Sequence, residues 1–94
     1  MDWREVPLTE HMVEAARVVD EAEVVIEFSE EARGWFRITV FEDLRAEGSD
    51  RYFARARDQS DPDVSAIVTA ATPEEAAAGC LREAGVSLRR ARGR

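Results

Sequence analysis

The sequence has little with which to build a metal or redox centre. It contains one cysteine, Cys80, and one histidine, His11. A lone cysteine excludes an internal disulfide, and structural zinc sites take four ligands drawn mainly from these two residue types. We therefore expect no metal and no cofactor, and the sparse use of cysteine fits the reducing cytoplasm.

Long hydrophobic runs are also missing. The longest uninterrupted run of apolar residues is three, whereas a membrane-spanning helix needs about 20. The first residues, MDWREVPLTEHM, carry acids where a signal peptide has bases, and they contain no apolar core. These features predict a soluble, cytoplasmic protein with no membrane partner.

Lysine and asparagine are absent, and all 13 basic residues are arginine. We attribute this to the coding bias of a GC-rich genome. The 20 acidic residues outnumber the arginines, four of which lie in the last six positions, so that residues 1–88 carry a net charge of about −11. Because nucleic-acid binding normally depends on clustered positive charge, nucleic acid is disfavoured as a partner.

The most informative stretch is residues 35–58, WFRITVFEDLRAEGSDRYFARARD. Two runs of alternating aromatic, β-branched and arginine residues flank a polar break that contains Gly48. Alternation with a period of two, interrupted by a glycine-containing loop, is typical of two paired and half-buried strands. The stretch therefore predicts a β-hairpin.

Upstream of this hairpin the apolar residues recur first every three to four positions and then every two. Apolar residues at helical spacing predict an amphipathic helix over residues 9–22, capped by Thr9; they are Met12, Ala15, Ala16, Val19 and Ala22. A strand follows, in which the larger apolar side chains alternate; they are Val24, Ile26 and Phe28. Gly34 ends the next turn, where we expect it to take a positive φ.

Downstream of the hairpin, residues 64–71 predict a fourth strand. The sequence TPEE at 72–75 places a capping threonine before a proline at the first helical position and a glutamate at the third. It predicts a helix over Pro73–Ala84 that stops at Gly85. The arginine-rich residues 89–94 are expected to form a disordered tail.

This order of elements predicts one α+β domain over residues 1–88. Ninety-four residues are enough for a single core. The expected architecture is an antiparallel sheet of three to four strands with two helices on one face. The opposite face of the sheet is then open.

The open face should carry aromatic and arginine side chains if Val24, Ile26 and Phe28 face the helices. The predicted interaction surface consists of Trp35, Arg37, Phe41, Phe53, Arg55 and Arg57. Such residues can bury against a protein partner or a second copy, pack on one another across strands, or stack bases and hold phosphates. In the second case, Glu27 is expected to pair with Arg37 or Arg57.

Two families share local features with the chain. The blocks VVIEFSEEARGWFRITVFEDL and SAIVTAATPEEAAAGCLREA resemble the strands and the following helix of HicB-type antitoxin domains, with residues 45–64 as an insertion. The layout of helix, three strands and helix is similar to a double-stranded RNA-binding domain. In that family lysines begin the last helix, whereas here residues 73–75 are proline and two glutamates. Neither resemblance carries functional residues over to this chain.

The residues do not supply a nucleophile, a base and an oxyanion donor, so we expect a protein that is not an enzyme. Cys80, among alanines in a helix, is expected to be a small buried hydrophobe. The leading hypothesis is an interaction or regulatory domain that binds a protein partner or itself through the exposed sheet face or a sheet edge. The alternatives are an acidic inhibitor, of antitoxin or phage counter-defence type, that mimics nucleic acid, and a single-stranded RNA-binding protein.

Overall fold

A computed structural model describes residues 16–27, 29–46 and 48–92. The described residues form four strands, one short 3-10 turn and one long helix. The strands are β1 (Ala16–Glu27), β2 (Arg33–Asp43), β3 (Tyr52–Asp58) and β4 (Ser65–Ala70); the 3-10 turn is Gly48–Asp50 and the helix is α1 (Pro73–Arg92). The α+β class, the antiparallel sheet and the fourth strand predicted from the sequence are confirmed.

The four strands form one antiparallel meander in the order β1-β2-β3-β4. The predicted hairpin is the β2–β3 pair, in which Arg37 lies opposite Arg57 and Phe41 opposite Phe53. Gly48 lies in its loop with a φ of 65°, a conformation that glycine adopts without steric cost. Because every strand pairs with its sequence neighbour, the alternation of side chains continues across the whole sheet.

The predicted N-terminal helix is wrong for residues 16–22, which belong to β1; residues 9–15 lie outside the described ranges. β1 pairs with β2 from end to end, with one register shift after Val18. Both sides of β1 are exposed over residues 16–23, so burial imposes no period on this part of the sequence. Backbone pairing with β2 decides its conformation, as tertiary context often overrides local propensity.

Helix α1 begins as predicted. The hydroxyl oxygen of Thr72 accepts a hydrogen bond from the N–H of Glu75 at 3.2 Å, and Pro73 is the first helical residue. The threonine thereby satisfies one of the N–H groups that lack a partner in the first turn of a helix. In the part of the chain that the structure describes, no helix combines the length and apolarity needed to cross a membrane.

The predicted stop at Gly85 is wrong, because α1 continues to Arg92. Gly85 is buried inside the helix, where glycine costs about 1 kcal/mol relative to alanine. Complete burial of Leu88 one turn later offsets that cost. Residues 89–92, predicted to belong to a disordered tail, are therefore helical, and their arginines interact favourably with the negative end of the helix dipole.

The core lies between α1 and one face of the sheet. The helix packs against β4 and β3, and to a lesser extent β2. Its small side chains permit close approach, since a Cβ added at Gly79 would lie 2.9 Å from Val68 Cγ1. The buried apolar residues are Phe36, Ile38, Val40, Ala54, Ala56, Val64, Ala76, Cys80, Ala84 and Leu88. Val24 and Ile26 are half-buried beside this core, on the side of the sheet predicted for them.

Gly34 is needed for packing and not for a turn. The expectation of a positive φ is wrong, because the residue lies buried within β2. A Cβ at this position would meet three side-chain atoms: Phe36 Cε1 at 2.7 Å, Asp58 Oδ2 at 3.0 Å and Leu88 Cδ1 at 3.1 Å. The last turns of α1 pass too close to the sheet for a larger residue.

Asp58 ties the end of the helix to the sheet. Its carboxylate is buried at the end of β3, where Oδ1 accepts hydrogen bonds from the N–H and the hydroxyl of Ser60 at 2.9 and 3.0 Å. Oδ2 lies 3.6 Å from Nη2 of Arg92. This ion pair is a further reason why Arg92 belongs to the folded domain.

Candidate functional site on the open sheet face

No described element covers the side of the sheet that faces away from α1, which we call the open face. The strand register places eighteen side chains on it: Ala16, Val18, Glu21, Glu23, Val25 and Glu27 of β1; Arg33, Trp35, Arg37, Thr39, Phe41 and Asp43 of β2; Phe53, Arg55 and Arg57 of β3; and Ser65, Ile67 and Thr69 of β4. All six residues of the predicted interaction surface are among them.

Large apolar side chains remain exposed on the open face. The exposed fractions are 55% for Val18, 47% for Val25, 57% for Trp35 and 67% for Ile67. Val25 and Trp35 lie directly opposite each other on neighbouring strands, so they form one apolar corner. The predicted interaction surface did not include Val25 and Ile67. Both alternate with half-buried neighbours along their strands, and this alternation could have assigned them to the open face.

Two aromatic rings on this face pack against each other. The centroids of Phe41 and Phe53 are 4.7 Å apart and their planes differ by 14°. The guanidinium carbon of Arg55 lies 5.4 Å from the Phe41 centroid, within the range of a cation–π contact. Cross-strand packing, one of the three interpretations of the sequence, is thus confirmed for these two phenylalanines.

Arg37 pairs with glutamates of β1 other than Glu27. Its guanidinium lies 3.5 Å from a carboxylate oxygen of Glu21 and 3.4 Å from one of Glu23. The predicted pairing with Glu27 is wrong because Glu23 is the residue directly opposite Arg37. A hydrogen bond from Gln59 at 3.0 Å, followed by that from Arg37, holds the pKa of Glu23 below its ordinary value.

The neighbouring arginines on β3 differ from Arg37. Within the described ranges, neither Arg55 nor Arg57 has a carboxylate oxygen within 4.0 Å. Both line a shallow depression of about 420 Å³, whose other walls are Arg37, Thr39, Asp58, Gln59 and Pro62. The open face therefore has acids on β1 and, on β3, cations that lack acidic partners among the described residues, in a chain whose net charge is −7.

Cys80 lies on the opposite side of the sheet, under α1. It is fully buried, and its S–H donates to the carbonyl of Ala66 at 3.5 Å. Burial raises the pKa of the thiol to about 11. The prediction that Cys80 is a small buried hydrophobe is confirmed. Nucleophilic chemistry requires a thiolate, and the raised pKa keeps the thiol protonated.

We expect the Cys80 thiol to be unreactive in the native protein. Ellman's reagent at pH 8 should modify it only at the rate of transient unfolding, and at once in urea, because both burial and the raised pKa suppress the thiolate. A stopped-flow absorbance assay measures both rates. Immediate modification of the native protein would contradict the packing of α1 on the sheet.

The described residues contain no group of three or more histidine, cysteine or carboxylate side chains placed to hold a metal ion. No protein-family model, curated protein or solved structure matches the chain. The resemblances to HicB-type and double-stranded RNA-binding domains stay predictions. Function must be argued from the open face itself.

Proposed function

We propose that this chain is a non-enzymatic interaction domain that binds a protein partner through the open face. The observation that carries the proposal is the exposure of Val18, Val25, Trp35 and Ile67 on one continuous sheet surface. Burial of apolar surface is worth about 25 cal/mol per Å², and Val25 and Trp35 are direct neighbours, while Val18 adjoins Phe41 and Ile67 adjoins Arg55. Exposed apolar side chains grouped on one face commonly mark an interaction site.

The composition of the open face also fits a protein interface. Aromatic residues and arginine are enriched at such interfaces and at their energetic centres. On the open face these residues lie on hydrogen-bonded strands. Phe41 stacks on Phe53, and Arg37 forms ion pairs with two glutamates. Side chains ordered before binding lose less conformational entropy when a partner docks.

The two alternatives receive less support. Single-stranded RNA binders stack successive bases on several aromatic rings; of the three aromatic residues that the structure describes on the open face, Trp35 is exposed, but Phe41 and Phe53 cover each other and Arg55 lies over Phe41. For a nucleic-acid mimic, the acids should follow one ridge. The exposed acids of the described residues are instead scattered over β1, both turns that flank the hairpin, the hairpin loop (Asp50), and the first turn and middle of α1 (Glu83).

Site-specific photo-crosslinking in the native host tests the proposal. A photoreactive phenylalanine analogue at position 35 should give a discrete adduct with a protein, because this side chain is exposed on the open face. The same analogue at position 78, an exposed residue of α1, is the matched control and should give none. Absence of adducts from positions 25, 35 and 67, or equal yields from position 78, would contradict the proposal.

A further inference from the structure

We infer that the partner of the open face is a second copy of this chain, docked face to face about a two-fold axis. The inference rests on the proposed function and specifies the occupant of the same surface. Its basis is a charge pattern on the open face that is complementary to itself under one rotation. A two-fold interface requires this property, because the same patch serves both subunits.

The charges are separated by strand. β1 presents Glu21 and Glu23, which share the single cation Arg37 of β2. β3 presents Arg55 and Arg57, which have no acidic partner within the described part of the chain. The face thus carries a surplus of negative charge on one side of β2 and a surplus of positive charge on the other side.

The strand register places these charges at matching levels. Glu23, Arg37 and Arg57 lie in one row across the sheet, and Glu21, Thr39 and Arg55 lie in the next row. Glu21 and Glu23 of β1 therefore each have an arginine of β3 at their own level, two strands away. A rotation that exchanges the positions of β1 and β3 without shifting the rows brings the opposite charges together.

An axis parallel to the strands and directly above β2 performs that exchange. It lays β1 of one copy over β3 of the other, with Glu23 facing Arg57 and Glu21 facing Arg55 in two equivalent sets. Packed sheets lie about 10 Å apart with nearly aligned strands, a gap that glutamate and arginine side chains span together. The open-face residues of β2 lie next to the axis and meet their own counterparts: Trp35 meets Trp35, and Arg37, which is paired with Glu21 and Glu23 inside each subunit, meets Arg37.

The size of the overlap sets the expected affinity. At about 3.4 Å per residue and about 4.8 Å between strands, β2 over β2 and the seven residues of β3 over β1 on each side give an overlap of roughly 400 Å² of planar area, below the ~800 Å² per partner of standard interfaces. We therefore expect a dimer that dissociates in the micromolar range. β4 lies beyond the edge of the overlap, so Ile67 is not part of the contact.

Reciprocal charge reversal tests the inference. The variants are Arg55→Glu/Arg57→Glu and Glu21→Arg/Glu23→Arg, each studied alone and as an equimolar mixture by sedimentation equilibrium over a range of concentrations. Either variant alone sets like charges against each other, so its self-association constant should fall about a hundredfold or more. The mixture should form dimers again, because both contact sets of the heterodimer are then complementary.

Matched controls keep the test specific to the open face. Glu30→Arg/Glu31→Arg makes the same charge change in an exposed turn outside it, and this variant should dimerise like the parent. Ile67→Thr should also dimerise like the parent, whereas Trp35→Ser should weaken the dimer about tenfold. Circular dichroism establishes that each variant is folded.

The outcomes separate this inference from the proposed function. A parent protein that stays monomeric up to millimolar concentration, or a mixture that stays monomeric, overturns the inference. In that case an adduct between position 35 and a different protein would still support the proposed function. If no adduct forms, both the inference and the proposed function are wrong. An adduct with the mass of two chains, together with dimers in the mixture, supports both.

Discussion

Leu88→Ala is expected to lower the free energy of unfolding by about 2–5 kcal/mol. Leu88 is completely buried against the sheet, and truncation removes apolar contacts and leaves a cavity. A domain of this size has a total stability of roughly 5–14 kcal/mol, so the loss is a large share of it. Urea denaturation followed by circular dichroism measures the change.

Val86→Ala is the matched control for this substitution. Val86 lies in the same part of α1 but is 44% exposed, and alanine is the better helix former. We expect its effect to stay within about 0.5 kcal/mol. Equal effects at positions 86 and 88 would mean that the helix beyond Gly85 does not pack as described.

Gly34→Ala is expected to destabilise the protein by about 1–3 kcal/mol, the usual cost of overpacking a core. The added Cβ would lie 2.7 Å from the Phe36 ring and 3.0 Å from a buried oxygen of Asp58. Neither neighbour can move away easily, since both are buried. The same denaturation experiment measures the loss.

Gly79→Ala provides the comparison for Gly34→Ala. Its Cβ would also make a contact under 3.0 Å, but with a single methyl group of the half-buried Val68. The helix gains about 1 kcal/mol when alanine replaces glycine, so we expect a net change near zero. A Gly34→Ala protein as stable as Gly79→Ala would show that β2 and α1 are farther apart than described.

The sequence was most informative where burial and local pattern agree. In the β2–β3 hairpin the inward residues are buried and the outward residues are arginine, threonine or aromatic, so a period of two is visible in the letters alone. The start of α1 was equally clear, because Thr72 and Pro73 determine it through local hydrogen bonding and a fixed φ.

The errors arose where distant contacts decide the conformation. Residues 16–22 have a helical spacing of alanine and valine, yet they are a strand because β2 offers a long partner. Gly85 looked like a stop, but the sheet surface that buries Leu88 extends the helix past it. Such long-range contacts are not encoded in any short window of sequence.

The open face was predicted in outline and not in detail. Alternation assigned all six predicted residues to the correct side, but it could not show that Arg37 would be paired while Arg55 and Arg57 would lack a carboxylate partner among the described residues. That difference depends on which strands are neighbours and at what register. The self-complementary charge pattern follows only once the register is known.

The strict sequence order of the sheet bears on how the chain folds during synthesis. All four strands leave the ribosome before the helix that covers them, and each can pair with the strand made just before it. Until residues 73–92 emerge, however, no element that the structure describes covers either side of the nascent sheet. We therefore expect the period of greatest aggregation risk, and of greatest need for a chaperone, to fall between completion of β4 and release of the last helical turn.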